Sequence, residues 1–250
     1  ANLNERELEI QRNAASDLTV PGLYNFANAL ANAPANSSQR RKLYGIFADA
    51  TLGFREYLFL NVTGRNDWSS TLPKDNNSFF YPSANLSFVL TEAFDIAGDV
   101  LSYVKLRTSY AQVGSDEAPY QLDFRFFPVQ TIFGQYGTGQ TFPFGGLTGF
   151  NATGTIPPTD LKPQNQLSFE VGGEFQFYNG RAGLDLTYYD VRTKDQIISI
   201  PIPQSTGFGF NRTNVGEVSN KGIEAALNLN PLRTRTLNWD LNLNYTTNEN

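Results

Sequence analysis

The chain has 250 residues, 40% of them hydrophobic, and a net charge of −5 from 19 basic and 24 acidic residues. It contains neither cysteine nor histidine, which removes disulfides, thiolate metal sites, the usual zinc and copper ligands and the commonest general base. The acidic balance argues against a nucleic-acid partner, and no apolar run approaches the ~20 residues of a membrane helix.

Residues 1–40 lack a strand pattern. Leu3–Ser16 is charged and weakly helical, and Asn25–Ser38 is rich in Ala, Asn and Ser. The simplest expectation is an extracellular loop segment over 1–40, followed by a partial barrel domain over 41–250.

From Leu43 onward, apolar and polar residues alternate with a period of two, the mark of an extended strand with two chemically different sides. Eight strands are expected, at Leu43–Gly53, Tyr57–Trp68, Phe79–Leu90, Tyr103–Val113, Gln166–Tyr178, Arg181–Tyr189, Gly222–Asn230 and Asn238–Thr246. Most approach the ~9–11 residues that cross a bilayer at a tilt. One set of side chains, from Tyr44 to Tyr245, holds no Asp, Glu, Lys or Arg. The alternate set holds Asp49, Arg65, Asp67, Lys105, Arg107, Glu170, Glu174, Asp185, Glu224 and Asp240. A basic side chain at the lipid midplane costs ~2–4 kcal/mol, enough to clear one side and leave the other free. A soluble β-sandwich would show the same asymmetry.

The connections discriminate better. They run short, long, short, long, short, long, short, with long ones at Ser69–Ser78, Gly114–Asn165 and Asp190–Lys221. Asn179-Gly180 is a strong two-residue hairpin signal, since both positions tolerate positive φ. Strict alternation puts the short turns at one rim and the long loops at the other, as in outer-membrane barrels. The fold class is therefore all-β: an antiparallel transmembrane barrel wall whose charged set, including Asp49, Lys105, Arg107, Glu170, Glu174, Asp185, Glu224 and Asp240, lines the lumen.

Candidate ligand or partner contacts lie at the loop rim. Arg65 and Asp67 suit polar substrate groups and Trp68 suits stacking on a sugar ring. The plainer alternative is an Arg65–Asp67 pair in a polar network, with Trp68 anchoring at the membrane interface. The Gly114–Asn165 loop carries Tyr120, Phe142 and Phe144, and the Asp190–Lys221 loop carries Phe208 and Phe210. Aromatics on such loops either meet a ligand or partner or pack the loops together. Adjacent Asp116 and Glu117 do not make the ~5–9.5 Å carboxylate pair of a glycosidase. Gly137-Thr138-Gly139 lacks the GxGxxG continuation of a dinucleotide site. No catalytic residue, metal site or cofactor is expected.

Several segments carry a family resemblance: LNVTGRNDWSSTLP (60–73), YPSANLSFVL (81–90), VKLRTSYAQVG (104–114), LKPQNQLSFEVGGEF (161–175), GLDLTYYDVRTKDQI (183–197) and NVGEVSNKGIEAALN (214–228). In this order they resemble the SusC/RagA family of TonB-dependent outer-membrane transporters. The resemblance implies a Gram-negative outer-membrane barrel of about 22 strands with a plugged lumen, of which this chain is a later part. With no methionine, the chain is read as a mature product or a piece of a longer protein. The resemblance also implies TonB-ExbB-ExbD-driven import of an oligosaccharide or peptide under a SusD-like surface lipoprotein, with outer-membrane lipid as surroundings and no enzymatic step. The alternative is a surface receptor or assembly component built on the same scaffold without uptake.

Overall fold

A computed structural model of the chain describes residues 1–129, 131–133 and 139–250; Gly137 and Thr138 lie outside these. Nine antiparallel strands form one sheet in chain order. They are β1 (Asn2–Leu18), β2 (Ala29–Phe54), β3 (Leu58–Ser69), β4 (Ser78–Val89), β5 (Leu101–Ser115), β6 (Gln164–Phe177), β7 (Ala182–Lys194), β8 (Glu217–Arg233) and β9 (Asn238–Glu249). All eight strands expected from the alternation are present, most of them longer than expected. The β6–β7 hairpin turns where the Asn179-Gly180 pair predicts, but its connection has four residues, 178–181, rather than two: Tyr178, Asn179 and Gly180 take φ 52°, 54° and 82°, and Arg181 N–H donates to the Tyr178 carbonyl.

Two expectations are corrected. Leu3–Ser16 is not helical but belongs to β1, and β2 runs unbroken through residue 40. The pairing runs from Asn2 opposite Gly45 to Leu18 opposite Ala29, whereas β3 ends with Ser69 opposite Leu43. Most of the β1–β2 ribbon therefore stands beyond the long-loop rim. With water on both faces it has no need of alternating grease. Its backbone ladder holds it, and cross-strand charge adds to that: Glu5 lies opposite Lys42 and pairs with both Lys42 (3.3 Å) and Arg40. Two of the long connections carry short strands of their own: Phe126–Val129 pairs with Gly149–Ala152, and Ile197–Pro201 with Phe210–Asn214.

The sheet encloses almost no core. Among the described residues, the buried hydrophobic side chains are Leu72, Val89, Val104 and Leu161. Leu72 and Leu161 lie at the loop side and Val89 and Val104 at the turn rim, beside the one-turn helix α1 (Leu90–Phe94). On the apolar face, Phe169 is 45% exposed and Leu186 is 39% exposed. A water-soluble sandwich would bury both.

Register shows why this sheet is a curved wall. One row of directly paired residues runs Leu52, Leu60, Leu86, Thr108, Val171, Tyr188, Ile223, Thr247. It starts near the end of β2, at the short-turn rim, and finishes near the end of β9, at the opposite rim. Such a steady climb is the stagger that closing a barrel from tilted strands requires. It also explains Asp190, Arg192 and Lys221. These share the parity of the apolar face but sit past Tyr188 and Ile223, toward the long-loop rim, where charge is tolerated.

Candidate functional site

Pairing places the expected lining residues together. Arg107, Gly172, Thr187 and Glu224 form one row; Lys105, Glu174 and Asp185 form another. Asp49 lies opposite Thr63, which lies opposite Ser83. Glu170 lies opposite Ser109, and Asp240 accepts from Asn230 Nδ2 at 2.5 Å. All eight charges project from the polar side of the sheet.

On that side, two arginines bridge strands. Arg107 on β5 crosses β6 to reach Asp185 on β7, donating at 2.8 and 2.6 Å, and donates to Thr187 at 2.6 Å. It passes over Gly172, where a Cβ would lie 2.7 Å from the Leu186 carbonyl oxygen and 3.1 Å from Arg107 Nε. Glycine is what opens the crossing. At Gly45 the same device recurs: Arg65 on β3 spans β2 and donates to Asn2 Oδ1 on β1 at 2.9 Å, with its Nη2 lying 2.5 Å from where a Gly45 Cβ would sit.

Arg65 also donates to Asp67 at 2.7 Å, and the Tyr81 hydroxyl donates to the same buried carboxylate at 2.5 Å. Trp68 projects from the opposite face, its ring 5.4 Å from that of Tyr44. The structure thus brings Arg65 and Asp67 together and separates Trp68 from them. This is the arrangement of a polar network on one face, with Trp68 packed on Tyr44 on the other.

At the loop side the organising residue is Asp116. Its carboxylate accepts from Arg41 Nε and Nη2 at 2.9 and 2.5 Å, from Thr71 Oγ1 at 3.0 Å, and from Ser69 Oγ. Its side chain is only 7% exposed. Both oxygens are thereby engaged, which leaves no free acid for hydrolysis. Neighbouring Glu117 lies 3.9 Å from Arg212. Beyond β3, the unpaired edge of β2 is covered by loops: Ser70 N–H donates to the Lys42 carbonyl, and Arg40 N–H donates to the Tyr120 hydroxyl at 3.2 Å. Covering an open strand edge in this way removes a site for stray pairing.

The two long loops are locked to each other. Gly209 and Phe210 N–H both donate to the Gly154 carbonyl, at 2.9 and 3.2 Å. Thr155–Ile156 pairs in parallel with Phe210–Asn211, and the rings of Phe124 and Phe208 lie 5.5 Å apart. Asn214 exchanges two 2.8 Å hydrogen bonds with the backbone of Lys162. A cavity of about 270 Å³ opens between the loops, lined by Tyr120, Arg125, Phe127, Thr155 and Arg212 among others.

Of the aromatic candidates, Tyr120 lines this cavity, Phe208 packs against Phe124, and Phe210 is 47% exposed on the strand beside it. Phe142 lies against Gly149 and Phe144 sits in a tight turn with Leu147, so nothing gathers these two with the others. Sequence reasoning missed Arg41, Ser69, Thr71, Arg125 and Arg212. No local pattern announces them, because each acquires its partner through loop packing. Among the described residues there is no cluster of His, Cys, Asp or Glu able to hold a metal.

Staggered antiparallel strands, one greasy and one polar face, and short turns opposite long loops define a segment of an outer-membrane-type β-barrel. Comparison with known proteins gives the family. The profile of the family described as TonB dependent receptor-like, beta-barrel matches residues 9–250, so the chain belongs to that family, and its similarities place it with the SusC/RagA group. It is 28% identical over its full length to a TonB-dependent receptor of Formosa agariphila, covering 25% of that protein. It is 31% identical, over 78% of its length, to TonB-dependent receptor SusC of Bacteroides thetaiotaomicron, covering 19% of it. The chain thus spans a quarter or less of these relatives. Its fold matches the RagAB peptide transporter with a TM-score of 0.76 at 21% identity, covering 99% of this chain and 27% of that one. It also matches the siderophore receptor PirA of Pseudomonas aeruginosa with a TM-score of 0.53, at 17% identity, covering 98% of this chain and 43% of that one. The family is one of outer-membrane receptors and transporters, not of enzymes.

Proposed function

We propose that this chain is part of the wall and loop surface of a TonB-dependent importer in the outer membrane of a Gram-negative bacterium. The observation that carries this reading is the two-sided, staggered sheet: hydrocarbon meets the face of Phe169 and Leu186, and the face of Arg107, Glu174 and Asp185 lines an aqueous lumen. The β1–β2 ribbon and the locked long loops then stand on the extracellular side, where cargo is captured. The cargo is a nutrient, an oligosaccharide or a peptide. A SusD-like surface lipoprotein covers the loops, and TonB-ExbB-ExbD supplies the energy. The similarity to SusC, together with the fold shared with a peptide transporter, supports the scaffold; the cargo and lid follow from that likeness.

Uptake tests the proposal. Cells that carry the full-length receptor and its neighbouring lipoprotein should accumulate the cargo only while TonB is intact. Binding at the surface that persists with no TonB-dependent accumulation would favour a receptor without uptake and overturn the importer reading.

A further inference from the structure

We infer that the cavity between the two long loops is a binding site for a carboxylate-bearing ligand, with Arg125 as the recognising group. The inference rests on the importer reading for the cavity's extracellular position and deepens it by naming the chemistry the cargo presents.

Arg125 is the unusual residue. Its Nε is buried and has no hydrogen-bond partner, and no carboxylate pairs with its guanidinium among the described residues. The ring of Phe127 lies beside the guanidinium, 5.8 Å from guanidinium carbon to ring centroid. A buried donor left unpaired is costly, and a ligand oxygen is one way to satisfy it. The other arginine of the cavity contrasts with it. Arg212 donates to Gln121 Oε1 at 2.7 Å and to Ser199 Oγ at 3.4 Å, and lies 3.9 Å from Glu117. Arg212 is therefore a wall member already satisfied, and Arg125 is the cation with bonding capacity to spare.

A guanidinium presents a planar fork that matches the two oxygens of a carboxylate. The Phe127 and Tyr120 rings at the same cavity offer flat apolar surface to the rest of the ligand. Asp123, also on the wall, supplies acceptors for ligand hydroxyl or N–H donors. The opening has room for one sugar ring or one terminal amino-acid residue. Loop contacts set this geometry in advance: the Gly154 carbonyl bridging, the Phe124–Phe208 ring contact and the Arg212–Gln121 bond hold the walls without a ligand. A preformed site spends little of its binding free energy on ordering loops.

Two sources offer this chemistry, a uronic-acid sugar and a peptide C-terminus, and calorimetry on the purified full-length receptor distinguishes them. The probes are an oligogalacturonide against its methyl ester, and a tripeptide with a free against an amidated C-terminus. The expected result is that one free acid binds at least about ten-fold tighter than its neutral partner, and that Arg125→Gln abolishes this preference. Arg125→Lys should recover only part of it, because the ammonium lacks the fork. Equal affinity for acid and neutral forms, no binding of either acid, or an unchanged preference in Arg125→Gln would each overturn the inference. Loss of uptake with acid binding intact would instead count against the importer reading. Unchanged amide exchange in β5 and β6 confirms that the variants fold.

Discussion

In the wall, Arg107 reaches Asp185 from two strands away, and both side chains stay more than a third exposed. At the loop rim, Asp116 is nearly sealed and takes hydrogen bonds from β2, the end of β3 and the loop after it. The wall's network decorates a sheet already fixed by its backbone ladder, so its loss is local. The rim's network ties the ends of that ladder, at Arg41 and Ser69, to the loop residue Thr71, so Asp116 helps set where the long loop begins. The difference teaches which charges shape the molecule and which merely line it.

The largest expected effect breaks the wall from its greasy side. Leu186→Arg in the full-length receptor should cost about 2–4 kcal/mol if the residue meets the bilayer midplane, read as a lower urea midpoint in liposomes. Thr187→Arg, one residue on but facing the polar side, should cost far less. Next comes the rim. Asp116→Ala leaves Arg41 without its carboxylate and Ser69 and Thr71 with only each other, and should cost about 1–3 kcal/mol locally, reduced by the partial exposure of Arg41. Limited proteolysis should then cut within residues 116–163 while the barrel's unfolding midpoint stays put.

A smaller effect tests the strand crossing. Gly172→Ala should push the Leu186 carbonyl aside and displace Arg107 from Asp185, at a cost of about 1–2 kcal/mol, most of it from the backbone shift. Amide exchange should rise on β6 and β7 and nowhere else. Smallest of all is the ribbon. The hydrogen bond from Arg40, helped by Lys42, holds the Glu5 carboxyl below its ordinary pKa. Its contribution is thus present above the ordinary carboxylate range and is lost as pH falls through the lowered value. Protection factors in β1, corrected for the slower intrinsic exchange, should fall on acidification without any change in the wall.

Much of the wall was legible in the sequence, since membrane contact imposes a period of two that nothing else in the chain imitates. Phe169 and Leu186 announce one face; Glu170 and Asp185 announce the other. The place of the Asn179-Gly180 turn was equally plain, because few residue pairs accept two consecutive positive φ values, but not its length, since Tyr178 also turns left-handed. The β1–β2 ribbon was missed because a two-stranded element wet on both sides is held by its backbone ladder, with Glu5–Arg40 and Glu5–Lys42 pairs, and needs no alternating grease. The rim and cavity were illegible for another reason. Asp116 meets Arg41, and Tyr120 shares a cavity with Arg125 and Arg212, only after the loops fold over the sheet. Spacing along the chain carries no trace of those meetings.

The most direct measurement is spin-label accessibility along β6 and β7 of a cysteine-free full-length receptor in liposomes. Labels at 167, 169, 171, 184, 186 and 188 should collide with dissolved oxygen, and labels at 168, 170, 185 and 187 with a water-soluble nickel complex. Uniform accessibility along both strands, or the opposite alternation, would contradict a wall that separates lipid from water.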